Sequence, residues 1–310
     1  MEKTMHRDDF FWGVCGHPRR WRAYPESQLD NQMRAAADLG VTHYRMDLPY
    51  PSEDDLLYCD KVLATAKKYG LTILGILYGS GKTPAEIEEN ARQFALRYKD
   101  DITLYQIENE IDCPTLIPGR NPLGLKISDY STEKLDVFAE KLRAMIAGIR
   151  AGNPEARISI NGTWWHTGFM DYFIYEKGLE FDIIGWDWYS NMCDKSSINE
   201  ILDKLCSYGH DIILSEANFW PTVQTEAGQG AYIAGLMRKV YEYPSDKIKG
   251  LFIYELLDEV QPANQSNSVE CHFGIYRCDE HGNIGEPKPA YHDIKKRIQD
   301  VHKMDLTSCD

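Results

Sequence analysis

Two carboxylates stand where apolar runs give out. Glu110 closes Tyr105-Gln106-Ile107-Glu108-Asn109-Glu110, and Glu216 lies in Ile212-Ile213-Leu214-Ser215-Glu216-Ala217-Asn218-Phe219-Trp220. Each run reads as a buried strand. A buried strand should not finish on an acid without cause, because an ionised carboxylate taken out of water costs several kcal/mol unless it is paired or used. Two such ends suggest carboxyls that act together. One gives a proton to a leaving oxygen while the other attacks carbon or activates water, which is the requirement for cleaving a glycosidic bond.

The elements that must position them recur along the whole chain as a β-rich run, a polar loop and a stretch of helical spacing. The runs end near Cys15, Asp47, Leu77, Glu108, Ile160, Asp187, Ser215 and Tyr254. Residues 28 to 39, 53 to 69, 133 to 151, 228 to 243 and 289 to 302 have helical spacing, and Asp171 to Lys177 makes a short helix. Thr83-Pro84-Ala85-Glu86 and Ser197-Ile198-Asn199-Glu200 are capping boxes that start two more. Strand and helix in strict alternation imply a parallel sheet, and eight units imply a single (β/α)8 TIM barrel over residues 1 to 310. No glycine-rich phosphate loop follows any strand, which removes the main support for a nucleotide-binding sheet. The longest irregular stretches, 112 to 130 and 256 to 288, follow strands four and eight, and loops of that length usually serve as walls or lids.

Composition narrows the partner. The 310 residues carry 48 acids against 34 bases, a net charge of −14 with no basic cluster, which argues against nucleic acid and anionic membrane and favours a neutral ligand such as a carbohydrate. No apolar stretch approaches the ~18 residues of a membrane span, and the start lacks the apolar segment of an export signal, so a cytoplasmic protein is expected. The eight cysteines, at 15, 59, 113, 193, 206, 271, 278 and 309, contain no Cys-x-x-Cys pair and read as reduced thiols. Cysteines and histidines do not cluster at zinc-ligand spacing, and neither a metal nor an organic cofactor is expected. Nothing in the sequence sets the oligomeric state.

In a barrel of this kind reactive residues lie at the C-terminal ends of the strands. There the set becomes specific: Tyr44-Arg45-Met46-Asp47 at strand two, Asn109-Glu110 ending strand four, Phe181-Asp182-Ile183-Ile184-Gly185-Trp186-Asp187-Trp188-Tyr189 at strand six, and Glu216 ending strand seven. A tail of Phe273-Gly274-Ile275-Tyr276 and Lys288-Pro289-Ala290-Tyr291 completes it. This set resembles the clan A glycoside hydrolases, retaining barrel enzymes with catalytic glutamates on strands four and seven, and is most similar to family thirty-nine and its relatives. It departs from family five at Asp187, where that family has a histidine, and at Tyr78, which stands in place of a strand-three histidine. The resemblance implies Glu110 as acid/base, Glu216 as nucleophile, Asn109 as a partner of the sugar 2-hydroxyl, Arg45 as the cation holding Glu216 ionised and Tyr189 as its orienting phenol.

Other residues at the same end are candidate sugar contacts: His17 after strand one, Trp164 after strand five, Asp187 on strand six, Trp220 after strand seven, and Tyr254 and Glu255 at strand eight. Trp165, His166, Asn218 and Phe219 join them as possible lining. By strand alternation Glu108 projects to the same side as Glu110, where it either pairs with Arg45 or binds substrate. Glu108, Glu110 and Asp112 share a period, and a solvated acidic rim is expected of them in preference to a cation site. The expected function is a retaining β-glycosidase, exo-acting on small glycosides or oligosaccharides. A β-galactosidase, an endo-acting β-glycanase of the same clan and a non-catalytic sugar-binding barrel stand as alternatives. Retention requires the two carboxyls to lie ~5 to 5.5 Å apart, and inversion roughly 6.5 to 9.5 Å.

Overall fold

A computed structural model describes residues 7, 9–192, 197–220, 226, 228–259 and 269–307. Eight parallel strands close into a barrel in sequence order: β1 (Phe11–Cys15), β2 (His43–Asp47), β3 (Thr72–Leu77), β4 (Leu104–Ile107), β5 (Arg157–Thr163), β6 (Ile183–Tyr189), β7 (Asp211–Asn218) and β8 (Ile248–Ile253). The chain is therefore a (β/α)8 barrel. Helices α1 (Leu29–Leu39), α2 (Glu53–Lys68), α3 (Pro84–Arg97), α4 (Thr132–Gly152), α5 (Thr167–Asp171), α6 (Ser197–Cys206), α7 (Gln229–Tyr241) and α8 (Pro289–Thr307) form the outer ring. No helix among the described residues is long and apolar enough to cross a membrane.

Local chemistry sets these boundaries. Ser52 and Thr83 each cap a helix and receive the reciprocal carboxylate of Asp55 or Glu86, so orphan N–H groups of the first turn are satisfied. Gly40 ends α1 with φ +97°, a left-handed conformation that glycine adopts without a Cβ clash. The fifth helix begins at Thr167 rather than Asp171 and continues into a π-turn over Tyr172–Glu176. Strands β5, β6 and β7 run to Thr163, Tyr189 and Asn218, beyond the ends expected at Ile160, Asp187 and Ser215. Their last residues are polar or aromatic, and that signal reads as loop although the barrel mouth buries it. The Ser197 capping hydroxyl, Cys193 and Cys309 lie outside what the structure describes.

Alternation along the strands divides the core in two. Trp12, Val14, Tyr44, Met46, Tyr105, Ile107, Trp186 and Trp188 face the helices in one large apolar cluster. Cys15, Leu74, Ile183, Ile213 and Phe252 form a second, small cluster along the barrel axis. Above this plug the inward positions are polar: Arg45, Gln106, Asn161, Asp187 and Ser215 are all buried. The stretch at 256 to 288, expected to be irregular, contains a two-stranded antiparallel sheet of β9 (Tyr276–Cys278) and β10 (Ile284–Pro287). The one at 112 to 130 contains short 3-10 turns at Cys113–Thr115 and Ile127–Asp129.

Candidate active site

The polar layer opens into a cavity of about 660 Å³ at the C-terminal mouth of the barrel. Glu110 and Glu216 both line it, together with Arg45, Asn109, Tyr189 and Trp220. Each glutamate reaches it by a local departure from regular strand geometry. In β7 one extra residue is inserted relative to both neighbours: Leu214 pairs with Trp186 and Glu216 with Asp187 on one side, and Leu214 with Leu251 and Ala217 with Ile253 on the other. Such a bulge lets two consecutive side chains, Ser215 and Glu216, turn toward the interior.

At β4 the strand stops at Ile107, and Glu108 (φ +59°) and Glu110 (φ +44°) adopt left-handed backbone. The pleat is broken there, so the two side chains separate. Glu108 is buried outside the cavity, accepting from the Gly79 N–H at 2.8 Å and pairing with Lys141 at 2.7 Å. The expectation that Glu108 shares a side with Glu110 and pairs with Arg45 is therefore overturned, as is the solvated acidic rim.

Arg45 is the centre of the wiring. It is buried, and it donates from Nη1 to Glu216 Oε1 at 2.8 Å, from Nη2 to Asn109 Oδ1 at 2.7 Å and from Nε to Gln106 Oε1 at 2.9 Å. Burial opposes its charge, but Glu216, Cys15 and Asp187 more than compensate and hold the guanidinium well above its ordinary range. The second oxygen of Glu216 accepts from the Tyr189 hydroxyl at 2.6 Å, and that phenol is kept protonated by burial and then by the charge of Glu216.

Asn109 Oδ1 also receives Gln106 Nε2 at 2.8 Å and Asn161 Nδ2 at 3.1 Å. With three donors on its oxygen, Asn109, which lines the cavity, has only its amide hydrogens left to offer a ligand. Asn161 further fixes Glu110 by accepting the Glu110 N–H at 3.0 Å. Among the described residues no cation is bonded to the Glu110 carboxyl. Burial, then the charges of Glu216 and Asp112, push it up from 4.5 to about 8, and Arg45 only partly offsets them.

The remaining sequence candidates divide. His17, Trp164 and Tyr254 line the cavity with Trp220. Trp220 stands edge-on to Tyr189 and Phe273, and Trp164 Nε1 is tied to the Met192 carbonyl at 2.7 Å. Asp187 and Glu255 do not reach the cavity. Asp187 is fully buried beneath it, accepting from Ser215 Oγ at 2.6 Å and Asn161 Nδ2 at 2.8 Å, and burial followed by the charges of Glu216 and Glu110 raises its carboxyl well above the usual range.

Glu255, after a cis peptide from Tyr254, is buried behind His17 and accepts from the Tyr24 hydroxyl at 2.6 Å. Both are supports in place of sugar contacts: Asp187 has an inward position one layer too deep, and Glu255, past the end of β8, is buried against Tyr24 and His17. Asn218 and Phe219 are likewise structural: Asn218 Nδ2 donates to the Phe273 carbonyl at 2.8 Å, and Phe219 packs on Tyr232. Trp165 packs against Trp188.

Sequence reasoning passed over Gln106 and Asn161, although a polar residue at an inward position of an apolar strand is the same signal that identified the glutamates. It also missed the buried Asp112 and His166 pair, whose carboxylate and Nδ1 lie 2.5 Å apart beside Glu110. Asp112, Cys113 and His166 bring one ligand atom each within 4.8 Å of one another, the one such group among the described residues that can hold a metal ion. Glu108, Glu110 and Asp112 do not converge. Both long loops wall the cavity, through Cys113, Leu116 and Pro122 on one side and Glu259, Glu270 and Phe273 on the other.

No protein-family model matches the sequence, and no curated protein sequence matches it. Solved structures do. A family 1 β-glucosidase from Thermotoga maritima superposes with a TM-score of 0.72 at 12% identity, covering 95% of this chain and 98% of that one. The Thermotoga maritima β-glucosidase in complex with a methoxycarbonyl-substituted glucoimidazole gives 0.73, and in complex with galacto-hydroximolactam 0.72, at the same identity and coverage. At this identity the likeness establishes the shared barrel fold.

Proposed function

We propose that this protein is a retaining β-glycosidase, with Glu216 as nucleophile and Glu110 as acid/base. The observation that carries the reading is the contrast between two carboxyls lining one cavity. Glu216 is gripped by a buried guanidinium and a phenol, whereas Glu110 is driven up to about 8 and holds its proton at neutral pH. A carboxyl that keeps its proton suits the acid, and one held in place by a guanidinium and a phenol suits the nucleophile. The anomeric carbon sits over Glu216, whose oxygen attacks as Glu110 passes its proton to the departing oxygen. The resulting glycosyl ester neutralises Glu216, which lowers the affinity of Glu110 for a proton and makes it the base that activates water in the second step. Asn109 offers its amide hydrogens to the sugar 2-hydroxyl, and Trp220 and Tyr254 give apolar faces to the ring.

A cavity of about 660 Å³ suits a small ligand, which supports exo-action on small glycosides or oligosaccharides. The solved neighbours carry a glucoimidazole in one case and galacto-hydroximolactam in another, so glucosides and galactosides head the substrate list. The strand-two, strand-four and strand-six motifs keep family thirty-nine as the proposed affiliation. The described cysteines Cys15, Cys59, Cys113, Cys206, Cys271 and Cys278 are free thiols, which supports a reducing, cytoplasmic setting. The test is Glu216→Ala assayed on a panel of aryl glycosides. Turnover should vanish, and azide, attacking in place of the lost carboxylate, should restore part of it and give the inverted glycosyl azide. Full activity in that variant removes Glu216 from the mechanism.

A further inference from the structure

The acid must stand beside the leaving oxygen, so the aglycone lies on the Glu110 side of the cavity, toward the loops after β4, β5 and β6. The glycone then extends the other way, toward the ends of β8, β1, β2 and β3. That end is closed by a compact polar group. Asp47, at the end of β2, accepts from Arg20 Nη1 at 2.5 Å and the Tyr78 hydroxyl at 2.9 Å through one oxygen, and its other oxygen faces His17 Nδ1 at 3.0 Å. Burial works against the Asp47 charge, but His17, Arg20 and Tyr78 outweigh it and hold the carboxyl below its ordinary range. His17 is itself buried and lines the cavity, with Nδ1 on Asp47 and Nε2 facing the buried Glu255 carboxylate at 3.7 Å, so its ring is held between two carboxylates as a fixed part of this end.

Behind this group lies a second cavity of about 340 Å³, lined among others by Arg19, Tyr50 and Asp55. The two cavities share three residues, Arg20, Asp47 and Tyr78. Those residues are thus a partition with space on both faces. Its parts differ in how firmly they are held. Asp47 is buried and has three partners, whereas the Arg20 side chain is 48% exposed and touches Asp47 through Nη1 alone, resting over the Tyr78 ring at 5.0 Å. A half-exposed ion pair is a weak latch, since water competes for both charges.

We propose that the Arg20–Asp47 pair is the end wall of the glycone subsite, that it restricts the enzyme to releasing one sugar at a time, and that the cavity behind it is a latent site for a second pyranose on the non-reducing side. This rests on the assignment of Glu110 and Glu216 above, because that assignment fixes which end holds the glycone. Tyr50 and Tyr78 supply aromatic surface, and Arg19 and Asp55 supply donors and acceptors, the combination that recognises a polyhydroxylated ring.

The test compares wild type with Arg20→Ala on 4-nitrophenyl β-glucoside and 4-nitrophenyl β-cellobioside, with products separated by chromatography and folding checked by thermal melt. Asp47 keeps His17 and Tyr78 in the variant, so its carboxylate stays held in place while the guanidinium and its charge are removed. Wild type should shorten the cellobioside only by releasing glucose. The variant should release intact cellobiose, and its kcat/KM for that cleavage relative to the glucoside should rise at least tenfold. An unchanged ratio, equal losses on both substrates, or cellobiose release by wild type overturns the wall. A wild type inert on every aryl glycoside instead refutes the hydrolase reading. Calorimetry with free glucose and cellobiose, in proteins that also carry Glu216→Gln, then reads the partition without turnover, and a variant that gains no preference for cellobiose overturns it.

Discussion

Replacing Glu216 by Gln tests the electrostatic pairing on which the mechanism depends. The rise of the Glu110 carboxyl from 4.5 to about 8 corresponds to about 5 kcal/mol in favour of its neutral form, at ~1.4 kcal/mol per pH unit. Burial is the largest cause and the Glu216 charge the second, with Asp112 adding less. Two charges at the retaining separation of ~5.5 Å, in an effective dielectric of ~20, interact by about 3 kcal/mol, or about 2 pH units. Glu216→Gln removes that contribution and leaves burial in place, so Glu110 should fall to about 6. The sign is the same in turnover. Below its folded value Glu110 carries the proton that the leaving oxygen needs, so wild-type activity is present at neutral pH and is lost as pH rises through about 8. The variant should not turn over, so the titration is read by NMR of ¹³C-labelled glutamate carboxyls, assigned with Glu110→Gln. A Glu110 resonance still titrating near 8 in Glu216→Gln would show that the two groups do not sense each other and would sink the shared-bond geometry.

Three further outcomes are expected. Glu110→Ala should lose about 10²- to 10⁴-fold in kcat on alkyl glycosides, and far less on dinitrophenyl glycosides whose leaving group needs no proton; equal losses on both would count against the acid role. Tyr189→Phe takes the hydroxyl from Glu216 Oε2, and a hydrogen bond to a charged group is worth about 1.5–3 kcal/mol, so kcat should drop about 10- to 100-fold with the fold intact; an unaltered kcat rejects the orienting role. EDTA should leave the steady-state rate unchanged, and a loss that a divalent ion restores would implicate Asp112, Cys113 and His166.

The barrel was legible because strand and helix periods alternate without interruption and helix starts carry explicit caps. Arg45 and Tyr189 were reached through the resemblance that their strand-two and strand-six motifs carry, whereas the glutamates stood out on their own as acids closing apolar runs. What escaped was any feature that breaks the period. Nothing in Ile107-Glu108-Asn109-Glu110 announces two left-handed residues, so strict alternation put Glu108 beside Glu110 when the chain throws it outward to Lys141. The β7 bulge is equally silent, because Ser215 is an ordinary strand residue until its hydroxyl is seen on Asp187. Depth was the other blind spot. Asp187 and Glu255 sit at the correct end of their strands, yet burial places one beneath the cavity and the other behind His17.

The division of the core into a broad apolar shell under the helices and a small plug on the axis has an evolutionary consequence. Apolar burial, the dominant favourable contribution to folding, is concentrated in the shell, whereas the residues that meet ligand hang above the plug on hydrogen bonds. Exchanging a residue at the mouth therefore risks activity long before it risks folding. A barrel built this way can exchange the residues at its mouth while its scaffold is left intact.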